Sequence, residues 1–101
     1  MIIVYLTCND EEEANNIIEA LLEAKLVACV KQHKIHSSYL WQKKINHDEE
    51  ILLIMETKDE KFDEINELVD KLHSYDQYVL TAVPVTKINH GINDWLNDSI
   101  D

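Results

Sequence analysis

Holding a metal ion takes thiol, imidazole and carboxylate donors that converge, and this chain carries two cysteines, five histidines and twenty acidic residues. Reduced copper prefers thiolate, thioether and imidazole ligands, whereas divalent copper accepts imidazole and carboxylate. Cys8, His73 and Asp76 form the candidate metal set, because the inferred order of elements delivers them to one end of a sheet. Their spacing matches no established ligand pattern. A second reading therefore stays open, with Cys8 a small buried thiol and His73 a favourable residue at a helix C-terminus. Cys29 reads as core, since a buried free cysteine behaves as a small hydrophobe. His33 and His36 cannot chelate from one strand, because residues three apart point to opposite faces. His47 and His90 read as solvated loop residues.

Tyr39 and Trp41 pose a different question. Two apart on a strand, they share a face, in a run dominated by Lys31, Gln32, His33, Lys34, His36, Ser37 and Ser38. Rings that can bury so much apolar area are seldom left in water, and aromatic residues are enriched at subunit interfaces. The patch thus reads as an interface before it reads as a stacking platform. Glu50, Lys58, His73 and Tyr75 could line an intersubunit cleft beside it, suited to a small anion or metabolite. The run Asp48-Glu49-Glu50 reads as solvated charge, except that Glu50 enters the buried part of a strand. With no Ser/His/Asp arrangement, phosphate-cradling Gly-rich loop or nucleophile–base pair, an enzyme is not expected.

Composition narrows the class. The 101 residues, 46% of them hydrophobic, suit one compact domain spanning 1–101. One Gly, one Pro and no repeat leave no linker. A formal net charge of −11, with nine Lys and no Arg, argues against nucleic acid as a partner. An acidic field favours cations and keeps a protein in solution. Met1 to Leu6 is apolar, but too short for a bilayer and preceded by no basic segment. Neither a membrane span nor a signal peptide is expected, and a cytoplasmic location with reduced thiols follows.

The elements that must position these residues follow from periodicity. Ile2 to Thr7 is a short apolar strand. Asn9 caps a helix whose first turn holds Glu11, Glu12 and Glu13 and whose last turn Lys25 closes. Ala14, Ile17, Ile18, Leu21 and Leu22 recur at helical spacing along it. Leu26 to about Trp41 is extended, and Ile45 to Thr57 returns with Ile51 to Met55 buried. Thr57-Lys58-Asp59-Glu60 has the form of a capping box. It precedes a helix with Phe62, Ile65, Leu68, Val69 and Leu72 as its apolar stripe. Tyr78 to Val85 is the last strand, and Gly91 to Leu96 forms a short final helix.

The order β-α-β-β-α-β plus a tail is the ferredoxin-like sandwich of the α+β class, with an extended middle hairpin and a short C-terminal helix. Cys8 and Cys29 then lie at opposite ends of the sheet, too far apart for a disulfide. A strand of about 15 residues spans roughly 50 Å, whereas a 100-residue globule is roughly 35 Å across. The hairpin tip with Tyr39 and Trp41 therefore overhangs at the Cys8 and His73 end. An overhanging ribbon invites pairing with another chain, and a closed homo-oligomer is expected.

Taken in order, Ala28-Cys29-Val30, Tyr39-x-Trp41, Asp48-Glu49-Glu50, Glu60-Lys61-Phe62, His73-x-Tyr75-Asp76, Val83-Pro84-Val85 and Asp94-Trp95 resemble the CutA divalent-cation tolerance proteins nearly end to end. The resemblance implies a ferredoxin-like subunit in a tight homotrimer, with long hairpins pairing between subunits. It also implies a link to tolerance of copper and other divalent metals, and a likeness to the trimeric PII-like signalling proteins. The chain departs from the family pattern at Lys31 for Asn, Lys43 for Gly at the hairpin tip, Glu56 for Lys and Ser74 for Pro. Tyr78-Val79 replaces Pro-Glu, and Ile92 replaces Tyr. What the resemblance leads us to expect is a homotrimeric tolerance protein that binds copper or another divalent cation weakly and requires no cofactor. The alternatives are a PII-like regulator with a small ligand between subunits, and a structural trimer that scaffolds other proteins.

Overall fold

In the computed structural model, which describes residues 1–100, strand β1 (Ile2–Cys8) shows the simplest pattern. Ile2, Val4, Leu6 and Cys8 are buried and the residues between them are half-buried. Helix α1 (Glu11–Glu23), strand β2 (Cys29–Trp41) and strand β3 (Lys44–Thr57) follow. A 3-10 turn (Asp59–Lys61), helix α2 (Phe62–Leu72), strand β4 (Leu80–Pro84) and helix α3 (Ile92–Ser99) complete the chain. The strands lie in the order β2-β3-β1-β4, antiparallel throughout. This is the ferredoxin-like α+β arrangement expected from the sequence.

Alternation decides which face is core. Ile51, Leu53 and Met55 stand opposite Cys8, Leu6 and Val4 and share their buried face. Ala14, Ile17 and Leu21 of α1 and Ile65 and Val69 of α2 complete this layer at helical spacing. Leu52 and Ile54, expected to be buried with their neighbours, instead point to the other face with Ile3 and Tyr5. That face is only half-buried, and Val83 on it is exposed.

Local chemistry departs from expectation at several termini. Asp10, not Asn9, caps α1: its carboxylate accepts from the Glu13 N–H at 2.9 Å. Lys25 does not close the last turn. The helix ends at Glu23 and Lys25 takes a left-handed φ of 55°. The Leu26 N–H donates to the Leu21 carbonyl and the Lys25 N–H to that of Leu22, both at 3.0 Å. This is a Schellman closure, with lysine in the position that glycine normally takes.

The capping box at Thr57 does not form. Thr57 is fully buried and its hydroxyl donates to the Leu26 carbonyl at 2.6 Å, so it cannot cap α2. The last strand is Leu80–Pro84 rather than Tyr78–Val85, because Tyr78 is tied to α2 through a 2.6 Å bond to Asn66. The final helix runs Ile92–Ser99 instead of stopping at Leu96, with Gly91 at φ 89° before it. His47, read as a loop residue, lies in β3.

The hairpin overhangs as its length requires. Pairing of β1 with β3 stops at Cys8↔Ile51, whereas β2 and β3 continue to Trp41↔Lys44. The molecule measures 45 × 27 × 21 Å, with a radius of gyration of 14.3 Å. At the tip, Gln42 and Lys43 take φ 51° and 64°, the two left-handed residues of a type I′ turn. Trp41 is 56% exposed on one face there, and Leu40 and Ile45, at 73% and 72%, are exposed on the other. The tip is apolar on both sides.

Two stability effects follow. Lys25→Gly and Lys43→Gly each raise stability by about 1 kcal/mol, the left-handed cost to a side chain less the added chain entropy. Urea unfolding measures this as a higher midpoint, and an unchanged midpoint refutes it. Thr57→Val lowers stability by about 1–3 kcal/mol, because it strips the Leu26 carbonyl of a buried donor. The midpoint falls while the denaturant slope stays constant.

Candidate functional site

His73 is placed by the end of α2. Its N–H closes the last helical turn on the Val69 carbonyl at 2.8 Å, and its backbone then turns extended. The ring swings under the sheet end, where Nε2 lies 2.8 Å from the Thr7 carbonyl. Nδ1 accepts from the Tyr75 N–H at 3.1 Å. A carbonyl accepts only from a proton and an N–H donates only to a lone pair, so these partners put the ring proton on Nε2. Tyr78 stacks on the ring at 5.1 Å between centroids, and Tyr75 packs against it at 4.8 Å, tilted by 50°.

Glu13 reaches the same point from the first turn of α1. Its carboxylate accepts from the Ser74 N–H at 2.6 Å and the Asn9 N–H at 2.7 Å. Burial pushes this carboxyl upward, but the hydrogen bonds from Ser74 and Asn9 outweigh it and hold the pKa below the ordinary carboxylate value. Cys8, Glu13 and His73 bring one donor atom each within 4.8 Å of one another. Burial, followed by the charges of Glu13, Asp10 and Glu50, pushes the Cys8 thiol up to about 12. At neutral pH this cysteine is a thiol.

The structure unites Cys8 and His73, as the element order requires, and supplies Glu13 as their carboxylate. Asp76 is exposed and stands outside the group. Asp10-x-x-Glu13 is a capping-box spacing, and it is the sequence signal that could have found Glu13. Cys29 is half-buried at the level of Glu56, the far end of the sheet, and both cysteines are free.

The aromatic and cleft residues divide into two groups. Tyr75 donates its hydroxyl to Glu50 at 2.6 Å, and Glu50, just beyond the end of β1, is only 8% exposed. Burial and this bond hold the Tyr75 phenol well above its ordinary value. Tyr39 donates to Asp48 two residues further out, and Trp41 follows at the tip. Lys58 lies just past the other end of β3, roughly 26 Å from Glu50 at the usual strand rise. Its ammonium donates to the Ile100 carbonyl at 3.1 Å. No single chain can close a cleft with Lys58 on one wall and Tyr75 on the other.

Two of the family departures explain each other. The Lys31 ammonium is paired with the Glu56 carboxylate across β2 and β3. A cation expected on β3 is thus carried by β2, and the acid that replaces it is neutralised.

Comparisons with known proteins agree over the full length. The family described as CutA1 divalent ion tolerance protein matches residues 2–99. The divalent-cation tolerance protein CutA of Thermotoga maritima is 36% identical over 100 residues, which is 99% of each chain. A solved structure of the divalent cation tolerance protein CutA of Archaeoglobus fulgidus, described as periplasmic, superposes with a TM-score of 0.96 at 34% identity, over 100% of both chains. The CutA1 protein of Thermus thermophilus gives 0.94 at 34% identity, again over 100% of both. On this match of sequence and fold, the chain belongs to the CutA1 family of divalent ion tolerance proteins.

Proposed function

We propose that this protein is a homotrimer that contributes to divalent metal tolerance by binding copper or a similar ion weakly, without catalysing a reaction. The observation that carries the metal reading is the convergence of Cys8, Glu13 and His73 within 4.8 Å. Thiol, imidazole and carboxylate together suit copper in either oxidation state. The same geometry accounts for weakness. An ion must displace the Cys8 proton and take a ring nitrogen of His73 from a backbone partner. Glu13 takes the place that Asp76 held in the sequence reading.

The trimer is supported by surfaces a lone chain leaves open: the half-buried sheet face with Ile3, Tyr5, Leu52 and Ile54, and the tip with Tyr39 and Trp41. Exposed apolar area on this scale marks an interaction site. The separation of Lys58 from Glu50 and Tyr75 also favours assembly, since only a neighbouring chain can complete such a cleft. A PII-like regulator holding a small anion there has less support, because Asp48 and Glu50 bring negative charge to the walls. Scaffolding other proteins has no residue of its own to recommend it. Among the described residues, no helix is long and apolar enough to cross a membrane. Cys8 and Cys29 lie too far apart to pair, which suits a reducing cytoplasm.

Sedimentation equilibrium at micromolar concentration gives the trimer mass, and a monomer there overturns the assembly reading. Competition titration with cuprous and cupric ions checks the metal site. Affinity falls in Cys8→Ser and His73→Ala, and for wild type it climbs roughly tenfold per pH unit while the thiol releases its proton. Unchanged affinity in Cys8→Ser, with the fold intact by circular dichroism, removes the site from consideration.

A further inference from the structure

The hairpin stem carries three metal-ligating side chains that the buried cluster does not use. His36, His47 and Glu49 all sit on the helix-side face of the ribbon, because His36 pairs with Glu49 and Ser38 with His47 in unbroken register. The two-residue turn closes on a hydrogen-bonded pair at Trp41 and Lys44. Alternation then makes Ser38↔His47 and His36↔Glu49 non-hydrogen-bonded pairs, the ones whose side chains approach most closely. The right-handed twist draws together the diagonal that joins the residue farther from the turn on the first strand with the nearer one on the second. That diagonal is His36–His47. Diagonal neighbours are roughly 7–8 Å apart, a gap that two imidazoles close on one ion at metal–nitrogen distances of about 2 Å.

Local contacts already orient the set. His36 Nδ1 lies 3.8 Å from Glu49 Oε1. His47 Nδ1 is 2.8 Å from the Ser38 hydroxyl. With its proton on Nδ1 donated to Ser38, His47 presents Nε2 as a free lone pair, the arrangement that metal-ligating histidines use. The surroundings favour a cation. A cavity of about 320 Å³ between the stem and the start of α1 is lined by His36, Glu49, Glu50, Asp10 and Glu11 among others. The lysine there, Lys34, is paired with Glu11 at 3.2 Å.

We propose that His36, His47 and Glu49 form a second, open site for a divalent transition-metal ion on the hairpin stem. Two imidazoles and a carboxylate select cupric, nickel or zinc ions over calcium and magnesium, which prefer all-oxygen sites. Solvent water completes the coordination. The site uses no thiol, so it stands whether or not Cys8 binds copper.

The experiment uses full-length Cys8→Ser protein, which separates this site from the buried one. Cupric ion is titrated by calorimetry and the complex is read by electron paramagnetic resonance. Cys8→Ser retains one cupric ion per chain with coupling from two nitrogens. Adding His36→Ala and His47→Ala abolishes that signal, and adding Ser38→Ala alone weakens binding roughly tenfold. His36, Ser38 and His47 are exposed in the single chain, so the circular dichroism of the Cys8→Ser protein is unchanged by their replacement, and the oligomer mass is measured beside it. Failure of Cys8→Ser protein to bind cupric ion, or an unchanged spectrum in the double histidine variant, overturns the proposal.

Discussion

The register of β1 against β3 is the constraint on which the rest of the molecule depends. Pairing from Ile2↔Thr57 to Cys8↔Ile51 puts Val4, Leu6, Leu53 and Met55 on one face, where both helices can cover them. A slip by one residue would turn that whole set outward. Because Ile51 is the last residue of β3 with a partner in β1, everything from Glu50 to the tip has β2 as its one strand partner. The overhang, the burial of Glu50 at its base and the open apolar tip all follow from where that ladder stops. Thr57 anchors its other end, since its hydroxyl ties β3 to Leu26 and thereby to the exit of α1.

Polar chemistry gathers where the ladder stops because three segments must cross there. The start of α1, the end of α2 and the base of the hairpin all leave backbone groups without helical or sheet partners. Glu13 accepts from Asn9 and Ser74, and His73 bridges Thr7 and Tyr75. A buried backbone group left unpaired is costly, so these side chains hold the fold before they offer anything to a ligand. A metal bound there would have to compete with that role, whereas the imidazoles of the solvated stem carry no such duty.

The departures from the family pattern are absorbed locally. Lys31 and Glu56 neutralise each other on adjacent strands. Lys43 accepts the left-handed geometry that glycine adopts more readily, and Lys25 does the same at the end of α1. The strain of each is small against a continuous core and a two-strand ladder thirteen pairs long. With one glycine in 101 residues, this chain uses lysine in the left-handed positions at the exit of α1 and at the hairpin tip.

The sequence by itself determined the element order, the core stripes of both helices apart from Leu22 and Leu72, which are exposed, the length of the hairpin and hence its overhang. These are properties of period and chain length, which need no partner to be read. It also placed Cys8 and His73 at one end of the sheet, because topology alone fixes that. Tertiary structure decided everything that depends on which of several adequate side chains arrives first. Asp10 rather than Asn9 caps α1, Glu13 rather than Asp76 joins Cys8, and Thr57 faces the core instead of capping α2. Lys58 lies a strand's length from Tyr75, because the segment after α2 returns to the Glu50 end of β3 while Lys58 meets Ile100 at the other. Periodicity is written locally, whereas donor and acceptor choices are settled only when distant segments compete for the same space.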